Sequence, residues 1–359
     1  MNKNIPNRRF KEYINSPEWK HELLGRLGNF YSNGVDKITR PNQQKVHMIN
    51  YMDIYKRIEI NNLTKNSLMV TTANPNQLIN NNVLKGDIFL TPTSETADDI
   101  GRSMVITEDL DNVVYSYHLM RFRPFENVFD ILFPNFLFET EKVRNQFSLK
   151  AQGVQRFVLN KSQFEETIIT IPSIPEQNKI GLFFEKLDNM IKIQSNKIKK
   201  YEMLKESYLE KMFNKRNKTK TRRLKIGEFL KSIPYSQYVY VSESFGKIPI
   251  YQQGDVPLFG IGSGNIFTDY KDVILFGDHT LSLFTPKESF LISGDGLKII
   301  KSLKLNRDYL YYLLSYNMVE SEGYKRYYSI LIDKEVFIHE SLEEQKKIGS
   351  FFQKLDNII

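Results

Sequence analysis

The residues of this sequence that could do chemistry do not stand at the spacings chemistry needs. Phe276-Gly277-Asp278-His279-Thr280 sets an acid beside a base, the pairing a proton-transfer site would use. No nucleophile or cofactor-binding pattern flanks it. Glu344-Gln345-Lys346 mimics the E-x-K spacing of metal-dependent nucleases, but the matching tripeptide Glu176-Gln177-Asn178 has no lysine. Both tripeptides open amphipathic segments, where a glutamate favours the positive end of a helix. Gly260, Gly262 and Gly264 form G-x-G-x-G, which fits neither the dinucleotide nor the P-loop spacing and reads as a turn between strand-like runs. Asn74-Pro75-Asn76-Gln77 falls short of the Asn/Asp-Pro-Pro-aromatic tetrapeptide of amino-methyltransferases. His21, His47, His118, His279 and His339 include no pair at helical ligand spacing, which argues against zinc, and the absence of cysteine excludes disulfides and thiolate chemistry. The expectation is a protein with no catalytic site, metal or cofactor of its own.

Binding is the better reading of the composition. The 359 residues carry 50 Lys and Arg against 42 Asp and Glu, a net charge of +8, which favours an anionic partner such as nucleic acid. Between Lys211 and Lys225 there are eight basic residues and no acid. Such a strip suits a solvated linker and can also displace counterions from DNA phosphates. No apolar run is long enough to span a bilayer, and the polar N-terminus lacks a signal core, so a cytoplasmic location is expected.

These candidate residues are arranged around one long element. From Ile174 to Phe213 there is a single glycine, Gly181, and no proline after Pro175. Apolar residues recur at spacings of three and four, through Ile180, Phe184, Leu187, Ile191, Ile198, Tyr201, Tyr208 and Met212. That pattern predicts a helix with a seam for packing on another helix. From Glu176 to Phe213 it would run roughly 57 Å. The opening of this helix recurs 168 residues later: Ile174–Ile191 matches Leu342–Ile359 at twelve of eighteen positions. A fixed offset of that size implies a repeated unit consisting of a domain plus a helix.

The stretches between the helices read as mixed domains. In the first half, strand-like runs at 67–73, 87–93, 103–107 and 112–122 are separated by turn residues. The run 129–140 is apolar, with Pro134 expected to interrupt a helix, and 166–175 reads as a strand entering the long helix. The second half repeats the style, with a helix expected over 307–320 and a strand over 327–332. The fold class is therefore α+β: two similar globular domains separated by long amphipathic helices, with a pseudo-twofold internal repeat. The expected boundaries are a first domain with its N-terminal arm at 1–173, the central helix at 174–213, a basic linker at 214–221, a second domain at 222–341 and a distal helix at 342–359.

Two mixed domains, each followed by E-Q-x-K-I-G-x-F-F-x-K-L-D-N-x-I, resemble the specificity subunit of type I restriction-modification enzymes. The arm Pro6-Asn7-Arg8-Arg9-Phe10 with Trp19, and the segments 87–101 and 257–279, are similar to that family too. The resemblance implies that each domain is a target-recognition domain reading one half of a split sequence in double-stranded DNA. It implies that the helices pair antiparallel and set the spacer. Two methyltransferase subunits, bringing S-adenosylmethionine for adenine N6 methylation, and restriction/translocase subunits using ATP and Mg are the implied partners. Where the family continues its second helix this sequence stops at Ile359, which leaves two expectations: a shortened chain, or a first helix partly left for another copy of the chain or another subunit. A coiled-coil scaffold or restriction decoy that binds methyltransferase without reading DNA is the competing reading.

Base edges and phosphates are contacted by Arg, Lys, Asn, Gln and small hydroxyls on turns and strand ends. In the first half those expected to contact DNA are Ser94, Thr96, Arg102, Arg121, Arg123, Gln155 and Arg156. In the second half they are Gln252, Gln253, Asn265, His279, Lys298, Lys325 and Arg326. Phe183, Phe184, Leu187, Ile191, Phe351, Phe352 and Leu355 are expected to serve helix packing or subunit docking.

Overall fold

The computed structural model describes residues 8–214, 221–242 and 246–359. The chain divides into two compact units, Met1–Ile191 and Lys192–Ile359. The basic linker expected over 214–221 falls, from 215 to 220, outside the described residues, and the second unit opens with a strand at Thr221.

In the first unit a four-stranded antiparallel sheet has the order Gly28–Tyr31, Met120–Pro124, Ile88–Leu90, Ser103–Val105. A second sheet has the order Met69–Ala73, Gln44–Ile49, Leu110–Tyr115, Asn82–Val83, and its middle pair is parallel. Phe30, Ile88, Leu90 and Phe122 of the first sheet bury against Phe138, Phe147 and Phe164. Short helices start on polar caps. Asn74-Pro75-Asn76-Gln77 is one of them: Gln77 N donates to Asn74 Oδ1 (2.9 Å), Asn74 N donates to Gln77 Oε1 (3.0 Å), and Pro75 needs no amide partner at the first helical position.

The second unit has a four-stranded antiparallel sheet ordered Leu230–Ile233, Leu297–Ser302, Ile274–Gly277, Leu283–Phe284. A three-stranded sheet places Ile248–Tyr251 between Leu258–Gly262 and Leu291–Ile292, the latter parallel to it. Gly260 and Gly262 therefore lie within a strand, not in a turn. Two other segments differ from expectation. Pro134 begins a short helix, Pro134–Leu137, where its fixed φ and missing amide are harmless. The run 327–332 is helical over Tyr328–Asp333 because Asp278 Oδ1 accepts the Tyr328 amide at 2.7 Å and Leu331 N bonds back to Tyr327 O.

Each unit is closed by an antiparallel ribbon that feeds directly into a long helix. Lys20–Leu23 pairs with Ile168–Ile171, two residues before the 40-residue helix Ile174–Phe213, about 60 Å long. Thr221–Lys225 pairs with Glu335–His339, shortly before Leu342–Asp356. The repeated motif docks each helix. Gln177, buried, accepts the Asp130 amide (3.0 Å) and donates to Pro172 O (3.0 Å) and Val128 O (3.2 Å). Gln345, also buried, accepts the Asn306 amide (2.9 Å) and donates to His339 O (2.7 Å). One turn later a glycine lets backbone approach. A Cβ at Gly181 would lie 2.9 Å from Leu132 Cβ, and one at Gly349 would lie 2.8 Å from Tyr309 N.

Glu176 and Glu344 differ. Glu176 is buried and held by Arg9 through Nε and Nη2, both at 2.6 Å, with Trp19 Nε1 at 3.3 Å. The N-terminal arm thus lies on the start of the helix, where Phe10 meets Phe183 edge-on and Lys179 pairs with Glu12. Glu344 is half-buried and makes no ion pair among the described residues. In the second unit the end of the central helix packs antiparallel on the terminal helix, through Lys205–Asp356 (2.6 Å), Tyr208–Phe351 and Phe213–Phe352.

Three stability outcomes follow. Glu176→Gln should lower stability by about 3 kcal/mol, because it leaves Arg9 as a buried cation without its carboxylate. Glu344→Gln should cost far less, and urea unfolding distinguishes the two. Gly349→Ala should destabilise by roughly 1–3 kcal/mol through overpacking, although alanine is the better helix former by about 1 kcal/mol at an open site. His339 is buried against Tyr309, and burial holds its pKa below the usual histidine value. The unfolded chain then takes up a proton first, so stability is full above about pH 6.5 and falls as pH drops from there through the lower folded value. A urea-midpoint profile that slopes less between pH 7 and 5 in His339→Gln than in the parent would report this group.

Candidate nucleic-acid interface

The candidate residues of the first unit separate by where their strands put them. Arg121 lies on a central strand and is 1 % exposed. Its guanidinium sits between the Tyr31 and Tyr115 rings at 4.4 and 5.0 Å, and donates to Asn82 O (2.8 Å) and Asn80 O (3.2 Å). Burial lowers its pKa. It is a core cation, unable to reach DNA. Ser94 is also buried, its hydroxyl spent on Thr96 O. Arg123 is committed to Asp87, with Nε and Nη2 at 2.6 and 2.7 Å from the two carboxylate oxygens. Arg102 bridges Asp99 (2.7 Å) and Glu139 (2.9 Å).

Thr96, Gln155 and Arg156 remain exposed. The strand Thr93–Ser94 pairs with Phe157–Val158, which carries the 152–156 turn to the same edge, and Arg156 Nη2 reaches Thr93 Oγ1 at 3.3 Å. Close by is His118, whose pKa is pushed down by burial and then by Lys37 and Arg156. Its ring lies 4.0 Å from that of Tyr117, which is half exposed.

In the second unit the fold brings most of the candidates together. The end of strand Ile274–Gly277, the turn after Leu291–Ile292 and the loop before Tyr328–Asp333 meet. Asp278 organises the junction. Its amide donates to Gly296 O (2.7 Å), its carbonyl accepts from Tyr327 N (2.8 Å), and its carboxylate meets Tyr328 N (2.7 Å) and Lys298 Nζ (3.3 Å). A buried carboxylate so fully occupied is structural. His279 N donates to Gln253 Oε1 (3.1 Å), and His279 Nδ1 donates to Lys325 O (2.8 Å), which fixes the proton on that nitrogen. Arg326 reaches Asp295 (2.8 Å), which also accepts from Tyr235. The Tyr235 hydrogen bond, then that from Gly296 N, holds the Asp295 pKa below its usual value.

Gln253, His279, Lys298, Lys325 and Arg326 thus converge. Gln252 sits beside them, its side chain closing the 252–257 turn on Val256 O at the edge of a cleft of about 340 Å³ that Ser282 and Phe284 also line. Asn265 is exposed on the turn after Leu258–Gly262, outside these hydrogen bonds. Sequence reading passed over Tyr324, which stacks on His279 with ring centroids 4.4 Å apart and planes within 4°. Its signal was an aromatic residue followed by Lys325-Arg326 after a helix, with Gly323 at φ 91° making the turn.

The helix residues divide as well. Phe352 and Leu355 are core. Phe183, Phe184, Leu187, Ile191 and Phe351 are 37–63 % exposed, Phe351 meeting Tyr208 edge-on.

Residues 25–203 match the family model described as the type I restriction modification DNA specificity domain. Among solved structures, the chain is similar to the type I restriction-modification system S subunit from M. genitalium, at 14 % identity and a TM-score of 0.62, covering 100 % of this chain and 94 % of that one. It is also similar, at 16 % identity and a TM-score of 0.50, to a chain from a structure on complex assembly and conformational transition of the type I R-M system, covering 94 % of this chain and 90 % of that one. A search of curated proteins finds no match.

Truncating Arg121 to alanine should cost about 3 kcal/mol, from a large cavity and a buried carbonyl left without its donor. The same change at Thr96, Gln155 or Arg156 should leave the unfolding free energy within about 0.5 kcal/mol of the parent, read by urea titration.

Proposed function

This chain belongs to the family of type I restriction-modification specificity subunits, and we propose that in such a system it reads double-stranded DNA and leaves the reaction to its partners. The observation that carries this reading is the duplicated plan of a mixed unit closed by a ribbon and followed by a helix docked through Gln177 or Gln345. A bipartite target suits a duplicated reader. The net charge of +8 favours a polyanion. In the first unit Thr96, Gln155 and Arg156 are the proposed contacts, and in the second Gln252, Gln253, His279, Lys298, Lys325 and Arg326, with Asn265 at its margin.

The central helix is proposed to set the number of unread base pairs between half-sites. Its exposed row of Phe183, Phe184, Leu187 and Ile191 is an apolar strip of the kind that marks protein interfaces. Methyltransferase subunits are the proposed occupants, carrying S-adenosylmethionine for adenine N6 methylation, with restriction/translocase subunits adding ATP and Mg chemistry. The same strip would also serve a scaffold or decoy that binds methyltransferase and ignores DNA. That alternative predicts normal partner binding with no salt-dependent DNA affinity in the assembled complex.

Mapping adenine methylation in cells carrying this chain and its cognate methyltransferase should give a split motif, two short half-sites around unread bases. An unsplit motif, or none, counts against the reading. Exchanging residues 222–341 for those of another member should change one half-site and leave the other intact.

A further inference from the structure

The most exposed aromatic ring in the second unit's loop cluster is also one of the best supported. Tyr324 is 87 % exposed, yet its orientation is set from below by His279, which is itself held by Gln253 Oε1 and Lys325 O. One face of the phenol ring is covered by imidazole and the other is bare. Such a ring costs its unit apolar exposure and gains it no core packing. Lys325, Arg326 and Lys298 belong to the same cluster, each paired with a carboxylate, on Glu322, Asp295 and Asp278 in turn. The first unit holds the same pair of ring types, less closely stacked: Tyr117, 50 % exposed, meets His118 at 4.0 Å with planes tilted by 37°, beside the edge that carries Arg156.

We propose that Tyr324, seated on His279, is a stacking platform for a nucleobase of the half-site read by the second unit, and that Tyr117 on His118 is its counterpart in the first. The inference rests on the DNA-reading function proposed above and adds a mode of contact to it. A base inside an intact duplex has both faces covered, so the platform takes a base at an opened or kinked step, as aromatic and apolar wedges do elsewhere. The face of a base is common to all four, so the ring would contribute affinity and local deformability, while the neighbouring Gln253 and Arg326 would discriminate edges.

The test uses the assembled complex of this chain with its methyltransferase subunits on a duplex carrying the mapped target. Tyr324→Ala should weaken specific binding on the order of ten-fold, within the range for loss of one base–aromatic stack. Tyr324→Phe should bind within about two-fold of the parent, since the ring is kept. With 2-aminopurine placed in turn along the second half-site, one position should change its fluorescence between the parent and Tyr324→Ala complexes. Tyr117→Ala should do the same in the first half-site only. Parent-like binding by Tyr324→Ala overturns the platform while leaving the DNA-reading function intact. Equal losses in the Phe and Ala variants assign the hydroxyl instead and overturn stacking. A parent complex without sequence-specific binding would instead overturn the reading on which the platform rests.

Discussion

Each long helix is joined to its unit by a side-chain amide that completes the backbone of a neighbouring loop. Gln177 and Gln345 each accept a main-chain N–H and donate to a main-chain carbonyl, in buried surroundings where an orphaned group would cost about 1–3 kcal/mol. An apolar residue in either place would strand donors and acceptors on both sides. The glycine one turn further on brings helix and loop close enough for those bonds to form. Together they fix the rotation of the helix about its own axis, and so decide which of its side chains enter the core and which face solvent. Phe352 goes inward by this geometry, while its repeat partner Phe184 stacks on Phe136 and stays partly open.

Charge is distributed with the same economy. The charges of the first unit nearly balance, and many are paired locally: Arg9 on Glu176, Arg40 on Asp36, Arg57 and Arg102 on Glu139, Arg123 on Asp87. These pairs shape loops and contribute little field at a distance. The functional surface is left to a smaller set on the edges of short strands, where turns can vary without disturbing the sheets behind them.

How far the sequence foretold this depended on what each residue's role requires. The central helix was legible to the residue, because forty positions of periodic apolar spacing leave little ambiguity. So was the duplication. The loops that receive the helices were not, although 130–133 and 306–309 play the same part in the two units. A backbone amide can be offered by Asp130 or Asn306 alike, and the facing residues Leu132 and Asp308 share no chemistry. Arg121 misled because a polar residue near a strand end reads as surface. Only the positions of Tyr31 and Tyr115, brought from distant strands, show that its guanidinium is enclosed. The segment 327–332 misled in the opposite sense, since the carboxylate that starts its helix is fifty residues away in Asp278.

The closing ribbons carry a consequence for how the chain matures during synthesis. Lys20–Leu23 waits for Ile168–Ile171, and Arg9 waits for Glu176, 167 residues downstream. At a ribosomal pace of roughly 5–20 residues per second, the N-terminal arm spends on the order of ten seconds outside the exit tunnel before its partner appears. Early sheets can form in that interval, but the seal comes last. Nascent chains interrupted before the first turns of the central helix would carry an unclosed unit and offer its open strand to whatever quality-control machinery is at hand.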